Sequence, residues 1–147
     1  MFTRLEGANF YGATVRSATF QSSDFRQAVF DGENLYRADL RNTVNSYGIR
    51  ANNADFEEVD ARDAALPQMT AHASDWRNSQ LQNANLKGGY FQHADFSRAI
   101  LEGTHFKGTN LDYAESLQHR SESGAVEGRQ YVAGRHGVPD LTEPNRS

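Results

Sequence analysis

Large apolar residues recur at every fifth position of this chain. Leu5, Phe10, Val15, Phe20, Phe25, Phe30, Leu35 and Leu40 form one unbroken run. After one additional residue the phase resumes as Phe56, Ala61, Leu66, Ala71, Trp76, Leu81, Leu86, Phe91, Phe96, Leu101, Phe106 and Leu111. Eighteen of these twenty centres are Phe, Leu, Val, Ile, Met or Trp, types that supply 31 of the 147 residues, so chance would place roughly four there. A small residue stands two positions before most centres, as at Ala8, Ala28, Ala54, Ser74, Gly89 and Ala94. Five residues advance an α-helix by about 500°, or about 140° net, which would scatter the centres around it. In a plain strand an odd period sends successive centres to opposite faces. A chain that bends once per repeat meets both constraints. Its small residue and its centre then face inward from one short extended leg, and successive turns stack into a solenoid. The predicted core ladder includes Phe10, Phe20, Phe25, Phe30, Phe56, Trp76, Leu86, Phe91, Phe96 and Phe106.

The exceptions support the same register. Ser46, Ala51, Ala61 and Ala71 are small where a large centre is due, and the residues two before them are large: Val44, Ile49, Val59 and Met69. Close packing predicts such an exchange between two inward positions. The extra residue between Leu40 and Phe56 is expected as a bulge near Arg41–Thr43. Glu33 occupies an inward small position. A carboxylate there must turn outward or find a partner, because burying it unpaired costs several kcal/mol.

Ala8-Asn9-Phe10, Ala38-Asp39-Leu40, Ala54-Asp55-Phe56, Ala84-Asn85-Leu86 and Ala94-Asp95-Phe96 resemble the A-[DN]-[LF]-x-x signature of pentapeptide-repeat proteins. The resemblance covers about residues 3–116. It implies an all-β fold, a right-handed quadrilateral β-helix with four repeats per coil and five to six coils. Residues 1–116 would form the solenoid and 117–147 a nonrepeating, irregular tail that is flexible or bound to a partner. Within that tail Gln130–Ala133 could form a short strand. The family's best-characterised bacterial members are DNA mimics that protect DNA gyrase, and others are secreted effectors. The gyrase-protecting members resemble one another in an apolar C-terminal dimerisation helix, which residues 117–147 do not provide.

Composition narrows the function. Apolar residues make up 37%, mean hydropathy is −0.75, formal net charge is −4 and the pI is near 5.7. A direct nucleic-acid binder would want a basic face. No apolar run reaches the roughly 18 residues of a membrane span, and Met1–Gly7 shows no signal-peptide core. The cytoplasm is the expected compartment, with export by another route left open. No cysteine is available for disulfides or thiolate metal ligation.

Two surfaces invite a functional reading. Asp55, Asp75 and Asp95 should stack in one column, with Glu57, Glu58, Asp60 and Asp63 nearby and Arg62, Arg77 and Arg98 in compensating reach. The column reads either as a phosphate-like stripe for a DNA-binding partner or as carboxylates bonding the backbone corner. Tyr11, Val29, His72, Tyr90, His93 and Tyr113 should share a second face suited to a protein interface, with His72 near His93 on adjacent coils. No P-loop, nucleophile elbow or H-E-x-x-H motif is present, so no catalytic, cofactor or metal site is assigned. The expected function is a non-catalytic protein-binding or assembly module. Its partner is another protein or a second copy, docked through the first coil or residues 117–147; gyrase is the alternative partner.

Overall fold

The computed structural model describes residues 2–115, 117–118 and 130–131. From Arg4 to Glu115 the chain advances by single β-bridge residues, one per five-residue repeat, separated by two-residue corners. Bridges join residues 20 or 21 apart, always in parallel, so four repeats complete one turn. The four faces carry the ladders Arg4–Asp24–Val44 continued after a break by Ala65–Asn85–His105, Asn9–Val29–Arg50–Thr70–Tyr90–Asn110, Asn34–Asp55–Asp75–Asp95–Glu115 and Thr19–Asp39–Asp60–Gln80–Ile100. We name the faces by their first-coil members, Arg4, Asn9, Thr14 and Thr19.

Most corners are closed by a bond from the residue in the small position to the preceding centre, such as Ala8 N–H to Leu5 C=O at 3.0 Å. The residue before the small one has positive φ, as at Gly7 (65°), Arg37 (58°) and Tyr113 (59°). An i to i+3 bond with positive φ at the third residue is the pattern of a type II turn. Most of these corners are not glycine. Their left-handed residues are held by the ladder bonds on either side rather than by intrinsic preference.

The axis is filled by the predicted centres. Phe25, Phe30, Phe56, Trp76, Leu86, Phe91, Phe96 and Phe106 are buried, while Phe10 and Phe20 are half-buried and pack against them. Trp76 stacks on Phe56 at 4.0 Å and faces Phe96 at 6.0 Å. Its indole Nε1–H donates to Ser74 Oγ at 2.8 Å, and that hydroxyl donates to Ala71 C=O at 2.7 Å, so the polar atom of the core tryptophan is satisfied inside the core. Gly89 must lack a side chain, because an added Cβ would meet the Phe91 ring at 2.5 Å. Ile49, Val59 and Met69 are buried opposite Ala51, Ala61 and Ala71, as volume exchange requires.

The fourth exchange and the bulge need correction. Arg41 and Asn42 form a regular corner, Thr43 is the buried inward residue, and Val44 bridges Asp24 with its side chain outward, 37% exposed. The inserted residue is Asn45, left-handed at φ 52°, not one of residues 41–43. Ser46 repairs the ladder: its Oγ accepts the Phe25 N–H at 3.0 Å and donates to Val44 C=O at 3.0 Å. A hydroxyl is therefore useful at this centre, and Val44 compensates for nothing.

Glu33 finds a partner. Its side chain is only 8% exposed, and Oε1 accepts the Gly12 N–H at 2.6 Å. The Thr14–Asn34 bridge is missing beside it, and neither Val15 nor Asn34 donates a backbone bond there among the described residues. A long carboxylate in a position built for alanine wedges the first coil off the second on this face.

The reading of 117–147 as a tail falls outside the described residues, apart from one element. Strands β1 (Leu117–Gln118) and β2 (Gln130–Tyr131) pair antiparallel, with Leu117 opposite Tyr131 and Gln118 opposite Gln130.

Candidate functional site

The Asp column forms on the Thr14 face, where Asp55, Asp75, Asp95 and Glu115 follow Asn34. Each aspartate first serves its own corner. Oδ1 of Asp55, Asp75 and Asp95 accepts the N–H two residues on, from Glu57, Arg77 and Ser97, at 2.8–3.0 Å. The side chain thus acts as an Asx turn that fixes the bend. The other acids spread around the rod. Glu57 and Glu58 lie at the next corner, Asp60 on the Thr19 face and Asp63 at the corner after it.

Arginines are interleaved with them. Arg77 grips Asp75 at 2.6 Å and reaches Glu57 at 3.4 Å and Asp95 at 4.0 Å. Arg62 pairs with Asp60 at 2.7 Å, Arg41 with Asp39 at 2.7 Å and Arg37 with Glu58 at 2.6 Å. Arg98 joins no ion pair among the described residues. Burial raises the Asp75 carboxyl, but hydrogen bonds from the Arg77 side chain and amide outweigh it and hold the group below the usual range. The Arg41 guanidinium does the same for Asp39, and Arg37 for Glu58. Carboxylate oxygens of Asp55, Glu57 and Asp75 lie within 4.8 Å of one another. The Arg77 guanidinium stands among them as their counter-charge.

A spacing in the sequence underlies this pairing. Asp24 and Arg26, Asp39 and Arg41, Asp60 and Arg62, and Asp75 and Arg77 each flank a centre two residues apart. Every such pair closes into an ion pair across its own corner.

The aromatic candidates gather about one corner. Tyr11, His72, His93 and Tyr113 all lie at the bend between the Asn9 and Thr14 faces, while Val29 and Tyr90 lie on the adjoining Asn9 ladder. His93 stacks on Tyr113 at 5.0 Å and 8°, so its ring partner is Tyr113 rather than His72. Tyr90, Tyr113 and Tyr11 are exposed, Tyr11 by 84%.

The first coil differs from every later one. Leu5, Phe10 and Phe20 are only half-buried, Ala13 is exposed and Phe2 is 51% exposed. Arg4, Asn9, Thr14 and Thr19 use neither backbone N–H nor C=O in a hydrogen bond among the described residues. In an interior ladder residue both groups are used: Asp55 N–H donates to Glu33 C=O and its own C=O accepts from Leu35. The first coil therefore presents an apolar rim with an open peptide edge.

Stacked parallel bridges around an apolar axis define a β-solenoid. Models described as pentapeptide repeats match residues 8–44 and 73–115, together more than half of the sequence, and the chain belongs to the pentapeptide-repeat family. No sequence among curated proteins matches it. Among solved structures it is similar to the pentapeptide repeat protein Rfr23 from the cyanobacterium Cyanothece 51142. The identity is 22% and the TM-score 0.61, over 76% of this chain and 86% of that one, a likeness that gives a right-handed β-helix. Further similarities are to HetL of Nostoc sp. strain PCC 7120, a protein involved in heterocyst differentiation regulation (22% identity, TM-score 0.47, 84% of this chain and 66% of that one). A trypsin-treated variant of QnrB1, a plasmid-mediated fluoroquinolone resistance protein, is also similar (22% identity, TM-score 0.45, 78% and 55%).

Proposed function

We propose that this chain is a non-catalytic protein-docking solenoid whose contact surface is the first coil. The observation that carries this reading is the rim itself: half-buried Leu5, Phe10 and Phe20 ringed by ladder residues whose peptide groups bond nothing among the described residues. Such an edge gains both apolar burial and main-chain hydrogen bonds when another backbone covers it. The side walls offer less. Their carboxylates are engaged by corner amides and by Arg37, Arg41, Arg62 and Arg77.

The same compensation weighs against a gyrase-directed DNA mimic, which needs a run of carboxylates without counter-charges. A photo-crosslinking side chain at Tyr11, at Tyr90 or at Glu102 in the full chain, exposed to its native extract, tests the reading. Protein adducts are expected at Tyr11. Adducts confined to Tyr90 would move the contact to the aromatic corner and overturn the proposal. In a supercoiling assay with quinolone, gyrase is expected to be neither protected nor inhibited; protection would establish the mimic instead.

A further inference from the structure

The open edge has a shape that selects its partner. Resting on the docking reading above, we propose that a second copy of this chain caps the first coil, head to head, about a two-fold axis through the corners of Phe2 and Tyr11. The Val29 N–H donates to Ala8 C=O, and Phe10 N–H donates to Val29 C=O, so both peptide groups of a bridge residue aim at the coil before it. Both groups of Asn9, like those of Thr19 and Arg4, consequently aim out of the rod. A residue offering both groups on one side suits the hydrogen-bonded pair of an antiparallel ladder, in which two residues exchange both bonds. A two-fold axis lying across the rod brings the two edges together antiparallel on every face.

The rise of the coil then chooses among the possible axes. One turn climbs by about 4.8 Å, so the edge falls by about 1.2 Å per face from Arg4 through Asn9 and Thr14 to Thr19. It steps back by a whole strand at the corner between the Thr19 and Arg4 faces, where Phe2 stands. Two such spirals meet with an even gap only when the axis runs through that step and through the opposite corner, which is Tyr11–Gly12. What one copy lacks in height on a face is then supplied by the other. An axis through the middle of two opposite faces instead leaves one face out of reach or in collision by a full strand.

Through the corner axis, Asn9 meets Thr14 of the second copy and Arg4 meets Thr19 of the second copy, with no like charges opposed. Phe2 and Tyr11, two of the most exposed large apolar side chains of the described residues at 51% and 84%, fall on the axis and each meets its own equivalent. Phe2 is braced beneath the Arg4 guanidinium, 5.9 Å from its ring centre. An axis of this kind closes after two copies, so the assembly is a dimer and not a fibre.

The full chain should sediment at twice its 16.4 kDa. Phe2→Arg with Tyr11→Arg, which puts like charges on the axis at exposed positions, should return it to a single chain that keeps the folded circular-dichroism spectrum and melts cooperatively, at a temperature lowered by no more than the loss of the dimer accounts for. A wild type that stays single at every concentration overturns the proposal, as does a dimer that survives both arginines. Since the chain has no cysteine, Tyr11→Cys should oxidise to a covalent dimer and Glu102→Cys should not; the reverse pattern also overturns it. A single-chain wild type that still forms Tyr11 adducts with other proteins would remove the second copy while leaving the docking reading intact.

Discussion

Phe10 and Phe96 hold the same place in the repeat, yet they live in different environments. Phe96 has coils on both sides and no exposed surface, with Trp76, Phe91 and Phe106 around it. Phe10 has only the coil beneath, stacks on Phe30 at 4.3 Å, and keeps part of its surface in water. The repeat specifies that a side chain points inward. The neighbouring coils decide what that is worth. In a solenoid the apolar effect is therefore released coil by coil, and the coil with one neighbour retains the drive to acquire another.

The largest test of this contrast is one substitution made at both places. Phe96→Asp deletes about 2–3 kcal/mol of burial and puts a carboxylate among apolar side chains. It should abolish the cooperative thermal transition. Phe10→Asp can turn its carboxylate to the open end, and should fray the first coil while leaving the main transition in place. Circular-dichroism melts of the two variants decide it: equal losses would mean that the end coil is no weaker than the middle.

A smaller effect concerns why the first coil is loose. Glu33 stands where Ala, Ser or Gly normally stands, holds Gly12 and leaves the Val15 and Asn34 amides without a bond among the described residues. Glu33→Ala should let the ladder close, with Asn34 N–H reaching Ala13 C=O. Amide exchange at Val15 and Asn34 should slow. If both remain as fast as in the wild type, the wedge is not the cause of the gap.

These contrasts were unevenly legible in the sequence. The inward set could be read because volume is conserved across stacked positions, so Met69 betrays Ala71 and Ile49 betrays Ala51. The bulge was misplaced because Val44 is as apolar as a core residue and Ser46 as polar as a surface one. The stacked coils show which of the two faces inward, through the burial of Ser46 and the hydrogen bond from Phe25 to its hydroxyl. The acidic column and the arginines near it were visible, but which carboxylate each arginine grips was not. The spacing that creates the grip, Asp then Arg two residues later, crosses a corner whose tight bend brings the side chains together, and a linear reading separates them. Glu33 was recognisable as misplaced, and its effect on the adjacent ladder emerges only when two coils are stacked.

The smallest expected effect lies on the acidic wall. The carboxyls of Asp24, Asp39, Asp75 and Glu58 are held below their usual values. For Asp24 and Asp75 burial opposes this, and the arginine and amide hydrogen bonds prevail. For Asp39 and Glu58 the arginine hydrogen bond leads. A carboxyl depressed in the folded state binds its proton more readily when unfolded. Its contribution is therefore present above the ordinary carboxylate range and is lost as pH falls through the folded value. The melting temperature should decline on acidification below about pH 4. Arg77→Gln isolates one part of that decline. It leaves Asp75 beside Glu57 without their shared counter-charge. The resulting deficit should be modest, because the pair is exposed to solvent. It should be greatest at neutral pH and low salt, shrink as added salt screens the repulsion, and vanish in acid once Asp75 is protonated in both proteins. A deficit independent of both salt and pH would assign Arg77 a packing role in place of an electrostatic one, and the acidic wall would then lack the compensation that distinguishes it from the open first coil.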